Sequence, residues 1–265
     1  MEHASNPLLT ETISDGRVAQ VTLNRPQVMN AMNTDLALRL IDALTDLAGR
    51  PAVRVVILTG AGDRAFCAGA DLKERLGMTP EQWTQQHRIF ERLHQIVRMM
   101  RKPIFAAVNG AAVGGGCELA MSTDFLIASE TARFGQPEVK RGIMPGAGGT
   151  QFLPRFLPRG LAFELLMTGE LISAQDAHRW GLVNRVYPPG GLLAAAREIA
   201  EAIAANSPAA VQQAKRSAKM GLEQPIEQAI EIELECYQKM VAHPDRFEGV
   251  AAYNERRRPN FIDAY

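Results

Sequence analysis

The sequence predicts an α/β fold: a spiral of ββα units followed by a helical C-terminal region. Three observations carry this. A pattern of strand, turn, short strand and helix start recurs three times before residue 140. β-Branched and alanine-rich runs, VRVVILT, IFAAV and FLIAS, have the length and boundaries of buried strands. Residues 191–265 place apolar side chains at helical spacing instead.

Taken in order, residues 17–23 (RVAQVTL) have strand character and 33–48 carry apolar residues three and four apart. The first unit is the strand 53–59, the turn GAGD, the stretch RAFCAG and a helix start at ADLKE. A single long helix over 78–100 is inserted next, and Pro103 ends it. The second unit is IFAAV at 104–108, the turn Asn109-Gly110, AAV, and then GGGCELAM. The third is FLIAS at 125–129, a polar turn, ARFGQ, and then Pro137-Glu138. A right-handed stack of such units is a spiral α/β domain. Beyond Thr150, helices are expected over 159–167, 173–180, 192–205, 208–220 and 225–242. Ser173 with Asp176, and Ser207-Pro208, supply N-terminal signals. One more strand, 182–187, precedes Pro188-Pro189-Gly190-Gly191. The apolar faces of the last helices need a partner, either their own domain or a neighbouring subunit.

Composition narrows the function classes. The chain has 265 residues, 46% hydrophobic and 22% charged, which is ordinary for a globular protein with a substantial core. Lys plus Arg equals Asp plus Glu at 29 each, which argues against a nucleic-acid binder working by counterion release. Three cysteines without CxxC spacing read as reduced thiols in a cytoplasmic protein. Residues 1–10 lack the apolar stretch of a signal peptide, and no apolar run is long enough to span a membrane.

The chemistry-bearing segments lie at the ends of the three units. Gly114-Gly115-Gly116-Cys117-Glu118 is either a packing join or a helix start whose unpaired N–H groups receive a developing oxyanion. Glu118 sits between a cysteine and apolar residues, where the helix dipole and burial pull its proton affinity in opposite directions. Pro137-Glu138 alone is an ordinary helix opening. In the repeat, however, Glu138 takes the slot that Gly115 and Ala70 take, so the three should face one pocket. In Ala68-Gly69-Ala70-Asp71, Asp71 suits a helix cap and the Ala70 N–H should lie beside that of Gly115. Residues 145–150 (PGAGGT) lack the Lys-Ser/Thr of a Walker A loop and read as a tight turn lining a pocket. The five histidines show no ligand spacing; His87 and His94, seven apart, suit a solvated or packed pair. No GxSxG elbow is present, so neither metal nor covalent catalysis is indicated.

In combination, AFCAGADLKE, AAVNGAAVGGGCELAM, FGQPEVKRGIMPGAGGTQ and LMTGELISAQDAHRWGLVNRV resemble the crotonase family of enoyl-CoA hydratases and isomerases. The resemblance runs from LNRP at 23–26 to ERRRPNF at 255–261. It implies a crotonase-like spiral core over 1–190 and a helical trimerisation region over 191–265, assembled as a trimer or a dimer of trimers. It also implies an oxyanion hole at the N–H groups of Ala70 and Gly115, catalytic glutamates at Glu118 and Glu138, and Gly146 beside the catalytic water. Coenzyme A would enter as part of an acyl-CoA thioester substrate, with no other cofactor and no metal. Its contacts would lie along LNRPQVMNAM and ADLK: Arg25, Ala31, Ala68, Asp71, Leu72 and Lys73. A basic residue of Arg256-Arg257-Arg258 would meet a neighbour's CoA phosphate or form a solvated tail.

The expected activity is reversible syn addition of water to a 2-enoyl-CoA, with Glu118 activating water and Glu138 delivering a proton to Cα. The alternatives are an enoyl-CoA isomerase, a hydratase of a branched or carnitinyl acyl-CoA, and a non-catalytic acyl-CoA-binding protein. Met78, Trp83, Phe90 and Met99 are candidates for lining the acyl pocket or for the core.

Overall fold

The computed structural model describes residues 6–262; residues 1–5, with His3, and 263–265 lie outside it. β1 (Leu8–Ile13) and β2 (Val18–Leu23) form an antiparallel hairpin, and α1 (Thr34–Gly49) follows. Asn33 caps α1 by accepting from Leu36 N at 3.0 Å, and Leu36, Leu40, Ile41, Leu44 and Leu47 form its buried face.

The three expected units then appear. They are β3 (Val55–Gly60), β4 (Ala65–Cys67) and α2 (Leu72–Arg75); β5 (Ile104–Val108), β6 (Ala111–Val113) and α4 (Gly115–Met121); and β7 (Leu126–Ser129), β8 (Arg133–Gly135) and a 3-10 turn, Pro137–Arg141. The inserted helix, α3 (Pro80–Met99), starts from a capping box of Thr79 with Gln82. Each unit gives its first strand to one sheet and its second to another. The larger sheet runs β1-β2-β3-β5-β7-β10, with β10 at Arg185–Tyr187. The smaller runs β4-β6-β8-β9, with β9 at Leu171–Ser173. β2, β3, β5, β7 and β10 pair in parallel, as do β4, β6 and β8.

The turns of adjacent units are bound to one another. Gly60 N donates to Asn109 Oδ1 at 3.1 Å, and Asn109 Nδ2 donates to Gly62 O at 2.7 Å. Asn30, fully buried, donates to Ala61 O and Ala65 O at 3.0 and 2.8 Å. These contacts fix how the units stack, and so where the ends of β4, β6 and β8 meet.

The remaining helices are α5 (Gly149–Phe156), α6 (Arg159–Thr168), α7 (Ala174–Arg179), α8 (Leu192–Ala204), α9 (Pro208–Gly221), α10 (Ile226–Val241) and α11 (Pro244–Asn254). The expected boundary at 190–191 falls between β10 and α8. α8 nonetheless packs Leu192, Ala196, Ala200 and Ala204 against Val55, Ile57 and Phe105 of the larger sheet. α9 is tied to the core by Lys215, which donates to Lys102 O at 2.8 Å and pairs with Asp124 at 2.6 Å.

Several expectations need correction. β1 was not foreseen: only Leu8 of its six residues is buried, so it lacks a strand's alternation. Residues 145–150 are expected to form a tight turn, yet Gly149 and Thr150 open α5. The last long strand is shorter than 182–187. Glu138 lies on a single 3-10 turn closed by Gly142 in the left-handed region, not on an α-helix. Continued past the strand ends, the register aligns Ala70 with Gly115 and Gly115 with Pro137, so Glu138 falls one residue beyond the shared slot. Met99 is 72% exposed and belongs to neither core nor pocket.

Candidate active site

The ends of β4, β6 and β8 open on a cavity of about 550 Å³. Its wall includes Ala68, Ala70, Leu72, Gly115, Glu118, Glu138 and Gly146 of the expected site, so the ends of the three units face one cavity although Glu138 lies one residue beyond the shared slot.

Ala70 reaches the cavity because of how its neighbours are bound. Residues 29–32 run beside 68–71: Met32 N donates to Gly69 O at 2.8 Å and Asp71 N to Met32 O at 2.9 Å. In that parallel bridge the Ala70 N–H faces the other way, with no acceptor among the described residues. The Gly115 N–H is likewise open, as the first amide of α4, which has no side-chain cap. A Cβ placed on Gly115 would lie 3.9 Å from both Ala70 N and Glu118 Oε2, so the two amides and one carboxylate converge. Two glycines make this possible. Gly114 has φ of +57°, and a Cβ there would come within 2.8 Å of Glu138 Oε1; a Cβ on Gly116 would lie 2.0 Å from Cys67 O.

Glu118 is 3% exposed. Its Oε1 accepts from Ala147 N at 2.7 Å and Gly149 N at 2.8 Å, both from the PGAGG segment, and Oε2 has no partner among the described residues. That segment therefore orients a carboxylate by backbone amides. Glu138 is half-buried. Burial, and then repulsion from Glu118, push its carboxyl up to about 7 against the opposing pull of its own backbone amide and Arg141. With its amide nitrogen turned inward, Gln136 donates to both Glu138 oxygens at 3.2 and 3.3 Å. The nearby thiols are poor nucleophiles: burial pushes Cys67 up to about 11 and Cys117 up to about 12.

Arg25, Ala31, Asp71 and Lys73 flank the cavity without lining it. Arg25 pairs with Asp71 at 3.0 Å and donates to Ala31 O at 2.5 Å, while Lys73 is exposed. Arg257 is held by Glu248 at 2.6 Å and Glu255 at 2.5 Å; Arg256 and Arg258 are exposed. The cavity also takes side chains that the sequence did not single out for the site. Arg75 and Arg141 line it, and so do His87 and His94, which spacing alone assigned to packing or solvent. His94 is buried, with Nδ1 2.7 Å from Phe90 O, and burial pulls its pKa down. Trp83 and Phe90 line the wall as candidates did; Met78 does not. Among the described residues, no group of three or more His, Cys, Asp or Glu could hold a metal ion, and no helix is long and apolar enough to cross a membrane.

The chain resembles known proteins over nearly its whole length. It is 42% identical over 246 residues to a crotonyl-CoA hydratase of Syntrophomonas wolfei, covering 93% of this chain and 95% of that one. It is 41% identical to a short-chain-enoyl-CoA hydratase of Clostridium acetobutylicum, covering 92% and 94%. The crystal structure of an enoyl-CoA hydratase from Bacillus anthracis superposes with a TM-score of 0.95 at 40% identity, covering 98% of this chain and 100% of that one. Residues 14–264 match the enoyl-CoA hydratase/isomerase family. A fold reached from the residues thus meets a likeness over nearly the whole chain, which belongs to the enoyl-CoA hydratase/isomerase family.

Proposed function

We propose that this protein is an enoyl-CoA hydratase, adding water reversibly and syn across a 2-enoyl-CoA thioester to give 3-hydroxyacyl-CoA. The observation that carries the reading is the convergence of two open backbone amides and two glutamates on one cavity. The thioester carbonyl accepts from Ala70 N–H and Gly115 N–H, which makes Cβ electrophilic and stabilises the enolate charge. One such donor is commonly worth about 3 kcal/mol. Glu118, anchored through Oε1, presents Oε2 to the water. The hydroxyl of that water joins Cβ as its proton passes to Glu118. Glu138, which holds its proton up to about pH 7, donates it to Cα. Solvent exchange then restores the two carboxyl groups. The names of the relatives support the same reading.

The thioester's CoA portion leaves the cavity past Lys73 and the Arg25–Asp71 pair. The exposed apolar side chains of α10 support a homo-trimer, or a dimer of trimers, as the working assembly.

Crotonyl-CoA incubated with the protein in isotopically labelled water should yield 3-hydroxybutyryl-CoA with the label at Cβ. Absence of labelled product would refute the reading. A 3-enoyl-CoA converted to 2-enoyl-CoA without hydration would assign the isomerase activity instead.

A further inference from the structure

Arg75 stands out among the cavity's side chains. It is half-buried at the end of α2, and its guanidinium lies 4.1 Å from the centre of the Trp83 ring and 5.4 Å from that of Phe90. Nε donates to Gln86 Oε1 at 2.7 Å. Among the described residues, neither terminal amino group has an acceptor and no carboxylate lies within ion-pair distance. The nearest acid in sequence, Glu74, acts on Arg75 from beyond ion-pair distance, only partly opposing the cost of burial, and its oxygens accept from Thr34 N at 3.0 Å and from Gln86 Nε2 at 2.7 Å. A guanidinium held by stacking and by one nitrogen, with its outer fork free in a cavity wall, is prepared for a bidentate anion. Burial pulls its pKa below the ordinary arginine value, a cost that an anionic partner would offset.

The position of Arg75 says which part of a thioester would meet it. The carbonyl is placed by Ala70 and Gly115, and the CoA side of the site is the flank of Arg25 and Lys73, outside the cavity wall. Arg75 lies inside that wall beside Trp83 and Phe90 of α3, an aromatic side of the cavity suited to the acyl chain beyond the carbonyl. Arg141, exposed on the 3-10 turn that carries Glu138, adds a second positive charge to the same cavity. A neutral short chain would leave the Arg75 fork unpaired, whereas a terminal carboxylate would fill it.

We propose that Arg75 is a specificity-determining residue that receives a terminal carboxylate on the acyl chain, so that the favoured substrates are 2-enoyl-CoA esters of dicarboxylic acids. This deepens the hydratase reading and rests on it for the chemistry, though not for binding.

The test uses saturated thioesters, which bind but cannot be hydrated. Titration calorimetry with glutaryl-CoA and valeryl-CoA compares chains of equal length that end in a carboxylate or a methyl. The wild-type protein should bind glutaryl-CoA about 10-fold the more tightly. Arg75→Met, which keeps an apolar stem over Trp83, should weaken glutaryl-CoA about 30-fold relative to valeryl-CoA, in keeping with the loss of one partner of a buried charge pair. Arg75→Lys should retain part of the preference. A wild-type protein that prefers valeryl-CoA would overturn the proposal. So would an Arg75→Met variant that weakens both esters equally, because Arg75 would then serve the shared CoA portion. Failure to hydrate any enoyl-CoA would instead sink the hydratase reading, and these binding data would still decide the role of Arg75.

Discussion

Glu138 is held where folding alone would not place a carboxylate. Its proton is retained up to about pH 7 in the fold, whereas an ordinary glutamate releases it near 4.5. The sign of the linkage follows. Stability contributed by that proton is present below 4.5 and is lost as pH rises toward 7, above which the ionised side chain is a net cost. Glu138→Gln should therefore stabilise the protein by about 1–2 kcal/mol near pH 8, after allowance for partial solvent contact, with little effect near pH 4. Thermal melts at the two pH values measure this; an equal shift at both would contradict it. The pairing of Glu138 with Glu118 was legible in the sequence because each followed a strand of the same repeat. The neighbours that tune the pair were not: His94 and Arg75 reach the cavity from α3 and α2, and one side chain on a helix carries no mark of the wall it will face.

At the scale of elements, the proposed oxyanion hole depends on how closely α4 approaches β4. A Cβ on Gly116 would sit 2.0 Å from Cys67 O, so Gly116→Ala must push the start of α4 outward and carry the Gly115 amide away from Ala70. A displacement on the order of 1 Å at a catalytic group can cost about 100-fold in rate. Turnover of crotonyl-CoA by Gly116→Ala should fall by at least that much while the variant remains folded by circular dichroism; wild-type turnover would contradict the geometry. The glycine run and the three ββα units could be read from the sequence because buried strands are apolar and their turns carry Gly and Asn. β1 could not, since an edge strand with one buried residue shows no pattern. α5 was hidden for a different reason. It opens at Gly148-Gly149, which signals a loop locally, but the Gly149 amide and that of Ala147 just before the helix are fixed by Glu118 across 31 and 29 residues of chain.

For the whole molecule, the core accounts for α8, and Lys215 ties α9 to it, but neither accounts for the outer face of α10. Ile226, Ile230, Leu234, Tyr237 and Val241 follow helical spacing and remain exposed, Leu234 at 60% and Tyr237 at 68%. A stripe of this kind suits a subunit interface. Leu234→Lys should shift the protein from the proposed trimer or hexamer toward monomer in sedimentation velocity, and an unchanged assembly would remove this face from the interface. The sequence indicated that the last helices needed a partner. It did not separate those that cover their own sheet from those left free, because both carry the same apolar period.

In the proposed reaction, two carboxylates clamp one water opposite a backbone oxyanion hole. The most direct measurement is the kcat for crotonyl-CoA hydration by Glu118→Gln and by Glu138→Gln, each verified as folded. Positioned acid–base groups typically contribute about 10²- to 10⁴-fold each, so both variants should lose at least about 100-fold. Wild-type turnover in either one would contradict the account.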